Sequence, residues 1–192
     1  MTDDNPETDL RIKFRNRLYP TALKIEETTG IKKEFLIAQA AHESGWGQSD
    51  LARNDNNLFG MTATEDWLAA GHPITTMPTR EYSKYPPEKI RYWTRPGDVI
   101  EKMKDGKGGS VLKVMRDFRK YKTWDESMED WADRISNLPL YKFAYSYAKE
   151  GDAEKFISAV AEAGYGSDPR YATKLAGVYH AIAQLPPFIA IG

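Results

Sequence analysis

Cysteine is absent from the 192-residue chain, and its absence excludes disulfide scaffolds, thiolate metal sites and cysteine nucleophiles. Histidine is scarce. His42, His72 and His180 stand singly, without the spacing of a zinc site, so no metal and no cofactor is expected. No apolar run approaches the roughly 20 residues that cross a bilayer, so no membrane span is expected. An excess of either charge is missing as well: 27 Lys/Arg against 28 Asp/Glu leave a net charge of −1. Such a balance is far from that of a basic nucleic-acid-binding domain, and no nucleic-acid partner is expected. The opening MTDDNPETDL has neither a basic n-region nor an apolar h-region, so a classical signal peptide is not expected. Any catalysis has to rest on oxygen groups.

Apolar residues make up 41% and aromatics 12%, enough for a packed core, and the length suits a single domain over 1–192 with short tails at 1–8 and 186–192. Charge is unevenly placed. Residues 80–122 hold 13 Lys/Arg against 6 Asp/Glu, a basic segment on an acidic body.

Helical periodicity brackets an irregular middle. Leu10, Phe14, Leu18, Ala22 and Ile25 recur at spacings of three and four up to Gly30, with Pro20 expected to divide this stretch into two helices. Lys32 to Ser44 is apolar nearly all round, through Phe35, Leu36, Ile37, Ala38, Ala40 and Ala41, which predicts a buried helix. From Gly45 to Lys122 the period is lost; PITTMPTREY and SVLKVMRDFRKY alternate instead and predict a small antiparallel element with long loops, a β-lobe over about 61–122. Helices return after T123-W-D-E126, a capping box, and again after Asp152. Ser167 or Asp168 is expected to cap the last helix, with Pro169 in its first turn.

Glu43 ends the buried helix. On a helix it shares a face with Phe35, Leu36, Gln39 and Ala40, and a carboxylate on an apolar face has its charged form disfavoured, which suits a general acid working near neutral pH. Trp46 in Gly45-Trp46-Gly47 offers an indole on which a sugar ring can stack. Taken alone, Glu43 equally fits a carboxylate held by a buried amide or by Arg53.

Read together, A38-Q-A-A-H-E-S-G-W-G-Q-S-D-L-A and N56-N-L-F-G-M-T-A resemble glycoside hydrolase family 73, the peptidoglycan N-acetylglucosaminidases of bacterial autolysins. The similarity continues through F118-R-K-Y, W124-D-E-S-M-E-D-W-A and G164-Y-G-S-D-P-R-Y-A-T-K-L, in the family's order. This resemblance implies a mainly α (α+β), lysozyme-like domain with a small β-lobe flanking a substrate groove. It also implies hydrolysis of the β-1,4 bond between N-acetylglucosamine and N-acetylmuramic acid, with peptidoglycan glycan strands as partner. Carried onto this sequence, Glu43 falls on the family's general acid. Asn57 and Phe59 line the groove or brace the loop beside it. Tyr165 and Tyr171 fall near the acid, positioned to stack on sugar or to donate a hydroxyl to the reacting N-acetyl group. Action on the cell wall, in the periplasm or outside the cell by a non-classical, secretion-system or phage-associated route, follows from the same resemblance. A muramidase or lytic transglycosylase of the same fold, and a non-catalytic glycan-binding module, are the alternatives.

The middle departs from the family pattern through an extra stretch, PPEKIRYWTRPGDVIEKMKDGKGG. Tyr85, Tyr92 and Trp93 stand there among Lys84, Lys89, Arg91 and Arg95, a mixture suited to stacking on sugars and attracting acidic stem peptides, with Tyr92 and Trp93 as candidate binding residues. For a second carboxylate Glu81 and Glu101 compete. Glu81 is preferred, because P78-T-R-E-Y resembles the family's T-x-E-Y strand and the insert is most simply placed after it.

Overall fold

In the computed structural model, residues 6–89, 99–166 and 168–188 are described; Tyr92, Trp93, Arg91, Arg95 and Ser167 lie outside them. The chain forms two compact units, the first running to Met61 and resuming at Tyr121, the second being Thr62–Lys120.

The first unit is helical. It holds α1 (Pro6–Thr29), α2 (Lys33–Ser44), α3 (Asp50–Asp55), α5 (Trp124–Asn137), α6 (Lys142–Glu150), α7 (Ala153–Glu162) and α8 (Tyr171–Ala183), with α4 (Glu65–Ala69) belonging to the other unit. Its centre is α2. Phe35, Leu36, Ile37, Ala38, Gln39, Ala40 and Ala41 are all buried, as a helix without a polar stripe must be, and α1, α5 and α8 pack around it. Phe35 stacks on Phe156 of α7 with centroids 4.8 Å apart, and Trp131 of α5 is fully enclosed. Thr123 caps α5 by accepting from the Glu126 amide at 3.2 Å, and Asp152 caps α7 by accepting from the Lys155 amide at 3.1 Å.

Pro20 does not divide α1. Its ring removes one backbone hydrogen bond, but Leu18 and Ala22 on either side are fully buried, and that packing carries the helix through. The start of α8 is also corrected. Asp168 accepts from the Arg170 amide at 2.8 Å, and its carbonyl accepts from the Tyr171 amide at 2.9 Å, so it shapes the turn before the helix and Pro169 stays outside it. Three helices were not expected: α3 and α4 are only 6 and 5 residues long, and α6 buries only Ala144 and Ala148.

The second unit carries a three-stranded antiparallel sheet in the order β1-β3-β2, from β1 (Ile74–Ser83), β2 (Val99–Lys104) and β3 (Ser110–Arg119). β1 and β3 pair without interruption from Ile74↔Arg119 to Ser83↔Ser110. One face holds a small core of Leu112 and Val114 with Val99 against it. The β2–β3 turn is tied by Asp105, whose carboxylate accepts from the amides of Lys107 (2.7 Å) and Gly109 (2.9 Å).

Candidate active site

The Glu-Ser-Gly-Trp-Gly segment folds as it does because α2 has to stop abruptly behind its last carboxylate. Gly45, Trp46 and Gly47 all take positive φ, at 56°, 60° and 77°. For Trp46 that conformation costs about 1–2 kcal/mol, so the surroundings must impose it. They do so on both sides. Ser44 Oγ donates to the Ala40 carbonyl at 2.6 Å and accepts from the Gly47 amide at 2.8 Å, while the Trp46 indole meets Phe14 edge-on at 5.8 Å under the Arg11 guanidinium, 5.1 Å from the ring. A Cβ on Gly47 would lie 2.7 Å from the Trp124 ring, so only glycine closes this turn. The Trp46 ring is thus half-buried, held against α1 by Phe14 and Arg11.

Glu43 sits one residue before that turn. The Tyr171 hydroxyl, from the start of α8, donates to Glu43 Oε1 at 2.6 Å, and Gln39 Nε2, one turn earlier on α2, donates to the same hydroxyl oxygen at 3.1 Å. Burial pushes the Glu43 carboxyl up to about 7, the Tyr171 hydrogen bond opposing part of that rise. Burial and the neighbouring Glu43 hold the Tyr171 and Tyr165 phenols far above their ordinary range, so both stay neutral. Tyr165 stacks against Tyr171 at 6.3 Å and donates a long bond, 3.4 Å, to the Phe59 carbonyl. His42 lies edge-on to Tyr171 at 5.0 Å; burial, then Lys174, lower its pKa. Arg53, the rival partner for Glu43, is engaged by Asp50 at 3.2 Å.

Other expected binding residues prove to be builders. Asn57 is 1% exposed and brackets its own loop, donating to the Met61 carbonyl and accepting from the Met61 amide, both at 2.9 Å. Phe59 is 2% exposed and stacks on Trp131 at 5.3 Å. Side chains so enclosed have little surface to offer a glycan, and of the two expected roles the packing fits bracing of the loop beside the groove. Tyr171, at 5%, is likewise spent on the acid and not on a sugar ring. Gln39 was noted in the sequence only as sharing Glu43's face; its i,i+4 spacing was the signal available.

Glu81 stands on β1 opposite Leu112, with Arg116 Nε 3.4 Å from its Oε1. Glu101 stands on β2 opposite Lys113, on the other face of the sheet, beside a hollow of about 390 Å³ that Arg80 and Met103 also line.

A glutamate desolvated to the neutral range and held by tyrosine at the end of a buried helix suits the general acid of a lysozyme-like glycoside hydrolase. Comparison with known proteins agrees. The chain belongs to the glucosaminidase family, whose description, mannosyl-glycoprotein endo-beta-N-acetylglucosaminidase, matches residues 19–184. It is similar to the peptidoglycan hydrolase FlgJ of Vibrio cholerae, 34% identical over 180 residues, covering 92% of this chain and 45% of the relative. The exo-glucosaminidase LytG of Bacillus subtilis is 29% identical, over 93% of this chain and 54% of its own length. The chain thus spans about half the length of these relatives. Among solved structures, a peptidoglycan hydrolase from Sphingomonas sp. A1 superposes with a TM-score of 0.63 at 28% identity, covering 90% of this chain and 91% of its own. The glycoside hydrolase domain of Salmonella typhimurium FlgJ does so with 0.59 at 27%, covering 90% and 88%.

Proposed function

We propose that the chain hydrolyses the β-1,4 bond between N-acetylglucosamine and N-acetylmuramic acid in peptidoglycan, with Glu43 as general acid. The observation that carries this reading is the Glu43 carboxyl at about 7 under the Tyr171 hydroxyl. At neutral pH a large share of it is protonated, so a proton is available for the departing glycosidic oxygen, while the bond from Tyr171 stabilises the carboxylate left behind. Peptidoglycan as substrate is supported by the kinship with the peptidoglycan hydrolase FlgJ, and that substrate supports action on the cell wall, in the periplasm or outside the cell.

Glu81 is the second carboxylate in this proposal, paired with Arg116 and placed to activate water or to steady the developing oxocarbenium charge. Tyr165, half-buried and neutral, is an aromatic near Glu43 available to face the sugar.

The test is digestion of purified sacculi followed by borohydride reduction and mass analysis. Fragments ending in reduced N-acetylglucosamine support the proposal. Ends carrying reduced N-acetylmuramic acid would make the enzyme a muramidase, anhydro ends a lytic transglycosylase, and intact sacculi a binding module.

A further inference from the structure

Gln39 carries an unusual hydrogen-bond account. Its side chain is fully enclosed, its Nε2 donates to the Tyr171 hydroxyl, and among the described residues its Oε1 is a buried acceptor without a partner. A buried amide that leaves one end unpaired is being held for what the other end does.

We propose that Gln39 is a positioning residue for the acid: by donating to the Tyr171 oxygen it turns the hydroxyl proton onto Glu43 Oε1 and so reserves Oε2 as the oxygen that carries and delivers the acid proton. The inference rests on Glu43 being the general acid.

Its logic is the direction of a three-member chain. With Gln39 as donor the chain runs Gln39 N–H to Tyr171 O–H to Glu43 Oε1. Oε1 then accepts, and protonation of the carboxyl goes to Oε2. Were the amide turned about, its oxygen would accept from Tyr171, the phenol oxygen would accept from Glu43, and the proton would sit on Oε1, turned toward Tyr171. An amide supports either direction; the orientation observed favours delivery. Donation from Gln39 also polarises the phenol and strengthens its bond to the carboxylate.

The groups that bear on the titration are few. Glu43 meets Tyr171 and Tyr165, His42 lies edge-on to Tyr171, and Arg134 acts on Tyr165, while Lys174 and Asp168 act through His42. Gln39→Met changes the charge of none of these, so the difference it makes reports the chain itself.

Two nearly isosteric variants test the proposal. Gln39→Met removes the donor and should lower kcat about tenfold with KM within about twofold, because only the proton's placement changes. It should also move the basic limb of the pH profile upward, since the carboxylate loses support. In a Tyr171→Phe background the same substitution should cost less than about twofold, because its route to Glu43 is already cut. Gln39→Glu, which accepts where glutamine donates, should reverse the chain and lower kcat by about 10² or more. NMR titration of the Glu43 carboxyl in wild type and in whichever variant folds gives a readout without substrate. An unmoved Glu43 titration, or effects of Gln39→Met that multiply in the Tyr171→Phe background, would overturn the inference while leaving the hydrolase standing. Absence of glycan cleavage by the wild type would remove the hydrolase reading, and the titration would still decide the chain.

Discussion

The hydroxyl of Tyr171 donates to Glu43 Oε1 at 2.6 Å, joining residues 128 apart in the chain. Through this bond the first turn of α8 and the last turn of α2 meet at one carboxyl group.

Glu43→Gln keeps the side-chain shape and an oxygen able to accept from Tyr171, but removes the proton. Hydrolysis of sacculi should fall by ~10² or more, as loss of a general acid entails. Residual activity within tenfold of wild type would rule Glu43 out.

The same substitution should raise stability at high pH. Below 4.5 the carboxyl is protonated in folded and unfolded chains alike and contributes nothing. Between 4.5 and about 7 the unfolded chain releases the proton while the folded one retains it, so stability falls as pH rises. Above 7 the penalty is complete, at about 3 kcal/mol. Thermal unfolding of Glu43→Gln and wild type should therefore coincide near pH 4 and diverge at pH 8, the variant melting higher. Equal melting at pH 8 would mean that the carboxyl is not desolvated.

Tyr171→Phe separates a sugar-stacking phenol from an acid-supporting one. The ring stays, so stacking would survive, and KM should be unchanged because Tyr171 is 5% exposed. What is lost is a hydrogen bond that lowers the Glu43 pKa, so the basic limb of activity should move upward and kcat should drop. Gln39 would keep a buried donor without its acceptor, at a cost of about 1–3 kcal/mol in denaturant unfolding.

Asn57→Ala distinguishes a loop bracket from a glycan contact. Both partner groups on Met61 lose their bonds, and the melting temperature should fall by several degrees, in line with about 1–3 kcal/mol for buried groups left unpaired. A raised KM with unchanged melting would restore Asn57 to the groove.

The desolvation of Glu43 was legible from its place on the apolar face of α2, and the sheet from the alternation in PITTMPTREY and SVLKVMRDFRKY. What tells a tyrosine that touches sugar from one that holds the acid is burial, and burial at Tyr171 depends on where α8 packs against α2, a contact between segments remote in sequence. The role of Phe59 was open for the same reason, since its partner is Trp131 of α5. The packing of Trp46 against α1 was not legible, because a positive-φ turn sets its direction and no periodicity reports φ. Pro20 broke its local rule because packing at Leu18 and Ala22 outweighs one missing hydrogen bond. Gln39 was legible as a neighbour of Glu43 at i,i+4, but its task required knowing that Tyr171 stands between them.

The last prediction concerns the second carboxylate. Glu81 shares its sheet face with the buried Leu112 and Val114 and lies 3.4 Å from Arg116, with a side chain 26% exposed. A half-exposed pair of this kind contributes only ~0–1 kcal/mol, so the ion pair is no reason by itself for the carboxylate to be there. Glu101 stands on the opposite face, on an exposed strand between Ile100 and Lys102 and across from Lys113, where a solvated glutamate among basic residues is the ordinary arrangement. Glu81→Gln should therefore lower turnover by ~10² or more with little change in melting temperature, while Glu101→Gln stays near wild type. The reverse pattern in turnover measurements on sacculi would transfer the role to Glu101. Two nearly silent variants would leave Glu43 as the only protein group required, with the substrate's own N-acetyl oxygen attacking the anomeric carbon in place of a second carboxylate.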